Sequence, residues 1–519
     1  MLSRPESHGV EGSVGTANGC QVRGPLSALP ADLPAARERQ GPAPGRSKST
    51  RNLLALGLSI LLLTASNAVA QPETGIYIGT SRCTGAGCHG SAIPDSGGRI
   101  AHDEFQIWAQ KDKHAQAWAV LELPLAEQIV RRLGPGWLPA SREKRCLACH
   151  DLSPPKERQD KEFAPVRGVS CEACHGPAKA WLEVHSAKDQ HQKSLKAGLY
   201  DLQNPVKCVE RCLTCHLGTR GGFDHEVIPE RIVDHTLIAA GHPDLTFEFE
   251  LFARNMPPHW KSAAPQQAGD GLRQGRSRLP RWWGPFDRFQ EIRIWAIGQA
   301  VQLRENLRRI AFRARTKPWP EYAELDCAAC HHSLTTAFYS SLPTDSWRQK
   351  EGYAGRNPGS APLNLSPFAV YRKLLAVIAP DGAKTLVAAV SSLERTMSAV
   401  GASKEEAAEL AERAAGLADG LIAKVSGATY DDNVANRVLL AIAADGGSIA
   451  LMGHRAAIQA AWALDLLVSV GVKSRRISKD RGRESKAILD RMFRQLESVS
   501  DYDASKFRDL MAQLDACLK

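Results

Sequence analysis

The last third of the chain has the apolar pattern of helices. Between residues 365 and 519, alanine and leucine recur every three or four positions, which places them on one face of a helix. Ser403 and Glu406 have the spacing of a capping box. The predicted helices are Ser366–Ala379, Ala383–Val400, Lys404–Val425, Asn433–Ala444, His454–Val470, Ser485–Ser498 and Ala504–Leu518. This pattern predicts an all-α bundle, with its lone histidine, His454, on the surface at a helix start.

Residues 77–332 have a different pattern, with short apolar segments between glycine and proline turns and little strand-like alternation. They predict short helices and loops. Residues 263–285 are predicted as a loop, and a long helix follows from Phe286 to Arg315. The chain is therefore expected to be mainly α. The predicted domains are residues 71–335, with an insert at 263–320, a linker at 336–364, and the bundle at 365–519.

The first 70 residues belong to neither domain. Residues 1–50 are rich in Gly, Pro, Ser and Arg without periodicity, which indicates a disordered leader or a mis-set start codon. A basic stretch then precedes a short apolar run that ends at Ala68-Val69-Ala70. This favours a signal peptide at 51–70, cleaved near Ala70, and export to the periplasm. An uncleaved membrane anchor over 53–70 is the alternative.

The middle of the chain contains repeated cysteine and histidine motifs, which are candidate cofactor-binding sites. Four Cys-x-x-Cys-His pentads occur, and they are preceded by a first, wider motif with four residues between its cysteines. In such a motif both thiols add to the vinyl groups of one haem, and the adjacent histidine binds its iron. The predicted attachment cysteines are Cys83, Cys88, Cys146, Cys149, Cys171, Cys174, Cys212, Cys215, Cys327 and Cys330. The proximal ligands are His89, His150, His175, His216 and His331, so five covalent haem c groups are predicted.

Zinc is the alternative ligand for paired cysteines with a nearby histidine. Here histidine directly follows the second cysteine in every motif, whereas zinc fingers separate the two, so haem is favoured. In the first motif, Gly85 and Gly87 allow the longer spacer to bulge. Of the three other cysteines, Cys20 lies in the leader, and Cys208 and Cys517 are either a disulfide or two buried thiols, with the thiols favoured.

The formal charge of +10 does not indicate a nucleic-acid partner. The 70-residue leader contributes +3, from seven basic and four acidic residues, which leaves +7. Each bis-histidine ferric haem adds about −1, because two propionates outweigh the net charge of the iron porphyrin. Five haems bring the protein close to neutral. The arginines of the long helix are accordingly interpreted as partners of haem propionates. A docking face for a membrane or an acidic partner is the alternative.

A second histidine on each iron would make an electron carrier, whereas an open position would allow catalysis. His114 and His185 lie in short helical stretches that follow the first and third motifs, and His235 and His242 are seven residues apart. The candidate distal ligands are His114, His185, His235, His242, His259 and His332. An ordinary surface histidine remains the alternative for each.

The order of these features resembles a known family. A first haem site is followed by Trp108…His114-Ala-Gln-Ala, by a pentad, by Gly168-Val-Ser-Cys171-Glu-Ala-Cys174-His175-Gly-Pro, and by Cys212-Leu-Thr-Cys215-His216-Leu-Gly. Over residues 77–242 this is similar to the tetrahaem cytochromes c that accept electrons from hydroxylamine oxidoreductase. The resemblance implies a helical fold, haems in close-packed pairs, mostly bis-histidine ligation, and distal roles for His114 and His185. The wide first motif, the fifth motif and the bundle depart from that family.

Three functions are compatible with the sequence. The first is electron transfer between redox partner proteins along closely spaced haems. The second is reduction or oxidation of a small nitrogen or sulfur compound at one open iron. The sequence contains no Cys-x-x-Cys-Lys motif, which often marks such an iron, so transfer is favoured. The third is a structural subunit whose bundle recruits a membrane quinol-oxidising complex; membrane association is possible but not required.

Overall fold

A computed structural model of the chain describes residues 75–95, 100–187, 190–218, 231–259, 279–280, 282–284, 287–327, 361–399, 401–499 and 502–519. The predicted leader, the signal peptide and its alternative anchor, and most of the linker lie outside the described residues. So do Cys330, His331 and His332. The predictions made for those segments stay predictions.

Short helices joined by turns form the motif-bearing region. They are α1 Glu104–Lys111, α2 Pro124–Leu133, α3 Lys144–His150, α4 Cys171–His175, α5 Leu182–His185, α6 His191–Lys196, α7 Pro205–Leu213, α8 His235–Ala239 and α9 Phe249–Asn255. Single 3-10 turns lie at Thr80–Cys83, Lys113–Gln116, Ala119–Glu122, Lys156–Arg158 and Tyr322–Glu324, and a π turn lies at Thr214–Gly218. Over the described residues the β structure consists of isolated bridges, Tyr77 with Gln159 and Leu325 with Leu363.

Longer helices form the rest of the molecule. They are α10 Gln290–Thr316, α11 Phe368–Ile378, α12 Pro380–Met397, α13 Lys404–Gly427, α14 Asp432–Ala443, α15 Gly446–Leu451, α16 His454–Lys473, α17 Lys479–Gln495 and α18 Ala504–Leu518. The predicted mainly α fold is confirmed. The seven predicted bundle helices are also confirmed, and the ends of most of them agree with the prediction to within a few residues. Ser403 caps α13 by accepting a hydrogen bond from the Glu406 amide at 3.2 Å.

Two features of the bundle were not predicted. Helix α17 begins at Lys479, six residues before the predicted start, because Ser478 caps it and accepts from the Arg481 amide at 3.3 Å. Its first turns are charged and exposed, so they carry no apolar periodicity. The short helix α15 was not predicted. It has only six residues, and it begins with two glycines, which disfavour helices.

Helix α10 lies at the centre of one continuous apolar core. Nearly all of its side chains from Gln290 to Leu307 are buried. It packs along α13 and also against α7, α9 and α11. The core extends from Val209 on α7 to Leu514 on α18, so the motif-bearing region and the bundle share it. Between residues 75 and 187 the described apolar clusters are small, and one consists of Ile78, Ala178 and Trp181. Burial of large porphyrins would supply the missing apolar area there.

The arginines of the long helix bind carboxylates of the chain. Arg304 is buried and donates to Glu210 at 2.6 Å, Glu305 at 2.8 Å and Asp419 at 2.7 Å. The other pairs are Arg288–Asp432, Arg293–Asp287, Arg308–Glu305, Arg309–Glu324, Arg313–Glu324 and Arg315–Glu412. The helix is structural, as preferred. The interpretation of its arginines as partners of haem propionates stays a prediction. The carboxylate partners seen here were not predicted, because sequence spacing does not show acidic residues that are distant along the chain.

His454 is buried, which corrects its expected surface position. Its Nε2 lies 3.0 Å from the Leu496 carbonyl oxygen, and its ring packs against Tyr502 at a centroid distance of 5.5 Å. The helix that it begins, α16, is the one described helix long and apolar enough to cross a membrane. About two thirds of its apolar window is buried inside the protein, as in a core helix.

The disulfide considered between Cys208 and Cys517 does not form. Both cysteines are free and half-buried. The Cys208 thiol hydrogen-bonds with Cys212, one turn along α7. The Cys517 sulfur lies 3.5 Å from the Ser485 hydroxyl. Two separate thiols, the favoured alternative, are observed, but they are half-buried and not fully buried as predicted.

Candidate haem sites

Helical backbone brings the residues of the pentads together. On α3, Cys146 and Cys149 are three residues apart and His150 follows, so all three share one side of the helix. Helix α4 consists of the pentad Cys171–His175. The third pentad, Cys212–His216, begins on α7 and ends in the π turn Thr214–Gly218. Short helices are sufficient here, because only five residues must be held in register.

In the wide first motif, a turn in place of a helix brings the two cysteines and the histidine together. The Cys88 amide donates to the Gly85 carbonyl at 2.8 Å, and the His89 amide donates to the Cys83 carbonyl at 3.1 Å. The two added residues are therefore absorbed in the turn. His89 returns beside Cys83, as the motif requires for one haem.

Each described proximal histidine faces a second histidine. His89 faces His185 with ring centroids 6.2 Å apart, and His114 faces His216 at 6.2 Å. His150 faces His242 at 6.4 Å, and His175 faces His259 at 6.4 Å. We number the sites by proximal histidine: site 1 His89, site 2 His150, site 3 His175, site 4 His216 and, for the fifth motif, site 5 His331.

This spacing fits an iron between two rings. An iron–nitrogen bond is about 2.0 Å long, and a ring nitrogen lies about 1.1 Å from its centroid, so two trans imidazoles have centroids about 6.2 Å apart. Two imidazoles on one tetrahedral zinc would lie closer, at about 5 Å. Four predicted distal ligands, His114, His185, His242 and His259, thus stand where a sixth ligand would be. Ligation itself stays a prediction.

Hydrogen bonds orient several of these rings through Nδ1. His150 donates to the Ala117 carbonyl at 2.9 Å, and His242 donates to the Pro243 carbonyl at 2.7 Å. His185 donates to the Leu182 carbonyl. Because a carbonyl oxygen only accepts, Nδ1 carries the proton and Nε2 is left to bind metal.

Two rings have carboxylate partners instead. His89 Nδ1 lies 3.0 Å from Glu104 Oε2, and His114 Nδ1 lies 2.9 Å from Asp112 Oδ1. These hydrogen bonds raise the pKa of both His89 and His114. The two carboxylates were not identified from the sequence. Asp112-x-His114 could have been noticed as a local pattern, but nothing in the sequence links Glu104 to His89 across fifteen positions.

Burial keeps other rings neutral, which is the form that binds metal. It lowers the pKa of His175 to about 3. Burial also lowers the pKa of His216 and of His259. The low-polarity surroundings of sites 3 and 4 suit a ring ligated to a metal better than a free imidazolium.

The sites adjoin one another. The Cys83 and Cys171 side chains are close neighbours, which places site 1 beside site 3. The Cys149 and Cys215 side chains are likewise close, which places site 2 beside site 4. Cys174 of site 3 is close enough to Cys212 for the two thiols to interact electrostatically. The described sites therefore follow the order 1, 3, 4, 2.

Hydrogen bonds of the Arg231 side chain and a close backbone approach at Gly168 hold this order. Arg231 donates to the Ala148 carbonyl at 2.8 Å and to the Thr214 hydroxyl at 2.7 Å, which ties site 2 to site 4. Gly168 has φ +104°, and a Cβ there would lie 2.8 Å from the His114 carbonyl oxygen. Glycine is needed at that position, because the segment leading to site 3 passes directly against the His114 turn.

The fifth motif is described only at Cys327. Arg455 pairs with Asp244, two residues after His242, and its guanidinium lies 3.9 Å from the Cys327 sulfur. Cys327 is thus near site 2. The remaining described candidate, His235, packs against Tyr322 at a centroid distance of 5.7 Å. Its amide donates to Glu321 Oε1 at 3.0 Å, so it lies beside the segment that leads to Cys327.

Comparison with known proteins matches one part of the chain. Residues 83–176 match the family described as cytochrome c554 and c-prime. The matched segment runs from Cys83 past His175, and so contains the first three motifs together with Glu104, Asp112 and His114. No curated protein and no solved structure matches the chain.

Proposed function

We propose that this chain is a c-type cytochrome, as the family match over residues 83–176 supports, and that it carries electrons along five haems held mostly between two histidines. The observation that supports this most strongly is the set of four histidine pairs, all with centroids 6.2 to 6.4 Å apart. Pairs of this kind would hold a haem iron from both sides and leave it no open position. They favour electron transfer over chemistry at an open iron.

Haem c supplies a one-electron ferric–ferrous couple when bound. The residues of the chain set the order of transfer. The contacts between cysteines of neighbouring sites support a path 1, 3, 4, 2, and the link from Asp244 through Arg455 to Cys327 extends it to site 5. For site 5, we propose His235 as the distal ligand, since it lies beside Glu321 and Tyr322.

The proposal includes location and partners. We propose a periplasmic protein, because thioether attachment of haem takes place where disulfides also form, and residues 51–70 have the features of a signal peptide. Its partners would be redox proteins that supply or accept single electrons. A membrane quinol-oxidising complex is one candidate of that class.

Mass spectrometry of the purified, denatured protein tests the number of haems. We expect five covalent adducts of haem mass on the exported chain, because thioether bonds survive unfolding. Replacing Cys146 and Cys149 together with alanine is expected to remove one adduct, and replacing Cys208, which lies in no motif, none. A colourless protein without adducts would end the proposal.

Electron paramagnetic resonance of the oxidised protein tests the pairing. The His89 and His185 planes are 23° apart, whereas the other three pairs are 79° to 86° apart. Near-parallel rings split the iron d orbitals that perpendicular rings leave nearly degenerate. We therefore expect one rhombic low-spin signal from site 1 and highly anisotropic low-spin signals from sites 2, 3 and 4. Rhombic signals alone would contradict these pairings.

A further inference from the structure

Site 1 has a carboxylate fixed against its proximal ligand. Glu104 begins helix α1, and its side chain is only 13% exposed. Its Oε2 accepts from His89 Nδ1 at 3.0 Å, and its Oε1 accepts from the Ala101 amide at 3.0 Å. Both oxygens are therefore held, and one of them is directed at the imidazole edge opposite the iron-binding nitrogen.

Site 4 has the same arrangement on its distal ligand. Asp112 is 7% exposed, and its Oδ1 accepts from both the Nδ1 and the amide of His114, each at 2.9 Å. Asp112 also caps the 3-10 turn that carries His114. Its position is therefore set by the same turn that aims the ring at His216.

At sites 2 and 3 the described ligand rings have no direct hydrogen bond to a carboxylate, although the charge of Asp112 also reaches His259 of site 3. At site 2, His150 and His242 donate to the carbonyls of Ala117 and Pro243. At site 3, His259 donates to the Pro257 carbonyl, and His175 is buried. The four described sites are thus divided into two with a carboxylate on one ligand and two without.

We propose that Glu104 and Asp112 are positioning residues that hold the haem potentials at sites 1 and 4 below those at sites 2 and 3. A carboxylate that accepts the Nδ1 proton makes the imidazole a stronger donor to the iron. Its negative charge, in a partly buried site, also favours the ferric over the ferrous state. This proposal rests on the function proposed above.

The consequence is an alternating profile along the path. In the order 1, 3, 4, 2 the potentials run low, high, low, high, and the net direction favours electrons moving from site 1 to site 2. The fold therefore distinguishes one end of the chain of sites as the entrance and the other as the exit toward Cys327.

Redox titration of the holoprotein, followed by visible absorption and electron paramagnetic resonance, tests this proposal. E104Q and D112N keep a hydrogen-bonding side chain and remove the charge. Each is expected to shift one ferric–ferrous equilibrium about tenfold toward the ferrous state, a rise of about 59 mV in one midpoint. The shifted component should be the one lost in His185→Ala for E104Q, and the one lost in His114→Ala for D112N.

E162Q is the matched control. Glu162 pairs with Arg82 at 2.6 Å beside Cys83, but it is 72% exposed and contacts no proposed ligand among the described residues. The same change of charge should leave all midpoints in place, because water screens it. Equal shifts in E162Q and E104Q, or no shift in E104Q and D112N, would overturn the proposal.

The outcomes separate this inference from the function on which it rests. Haem loading is checked for every variant by mass spectrometry. E104D keeps the charge, so it should hold the original midpoint, whereas a shift equal to that of E104Q would assign the effect to a disturbed fold. Normal loading with unmoved midpoints rejects the role of the carboxylates and leaves electron transfer standing. Absence of haem from the unsubstituted protein rejects both.

Discussion

Replacing His185 with alanine is expected to turn one low-spin ferric haem high-spin. His185 faces His89 at a centroid distance of 6.2 Å, and Trp181 packs against its ring at 5.2 Å, so the imidazole is held in place rather than free in solvent. Without the imidazole, the iron of site 1 would have one strong axial ligand from the chain. Electron paramagnetic resonance should show complete loss of the rhombic component and a new high-spin signal that cyanide abolishes.

His191→Ala is the control for this experiment. His191 lies six residues farther along, begins α6, and pairs with Asp201 at 3.9 Å. The same loss of an imidazole should leave every low-spin component unchanged. A His185→Ala protein that retains all its low-spin intensity would show that His185 is not a ligand, and the pairing at site 1 would have to be abandoned.

The attachment motifs and the bundle could be predicted because their information is local. A pentad contains every protein atom needed to attach one haem and bind one side of its iron. The helix Lys404–Gly427 is indicated by its own apolar period and its Ser403 cap. The family match over residues 83–176 supports the prediction of a c-type cytochrome.

The pairing of ligands could not be predicted, because it depends on contacts between distant segments. His259 follows His175 by 84 positions, yet their rings face each other. The sequence supplied a pool of candidate histidines, and only the fold assigns four of them to particular sites. The arginines of α10 show the same limit. The Arg304 partners Glu210 and Asp419 lie on either side of the helix in sequence, far outside any local window.

The carboxylate of Glu324 binds two arginines of the long helix α10 that also contact segments of the candidate haem sites. Its side chain is fully buried and accepts from Arg309 at 2.9 Å and from Arg313 at 2.7 Å. Arg309 also donates to the Leu217 carbonyl, next to His216, and Arg313 donates to the Val233 carbonyl, both at 2.9 Å. Burial alone would raise the pKa of Glu324, but the two guanidinium groups hold it below its usual value.

E324Q is therefore expected to destabilise the holoprotein by about 3 to 5 kcal/mol, because it leaves two buried guanidinium charges uncompensated. Denaturant unfolding followed by far-ultraviolet circular dichroism measures this loss. Since the folded-state pKa is depressed, the stabilisation is present above the unfolded pKa and is lost as the pH falls through the folded value. The difference in the free energy of unfolding between the unsubstituted protein and E324Q should therefore shrink in that acidic range.

E412Q is the control. It removes the exposed partner of Arg315 and should leave the denaturant midpoint of unfolding nearly unchanged. Equal losses for E324Q and E412Q would show that the buried cluster does not join the bundle to the haem sites energetically.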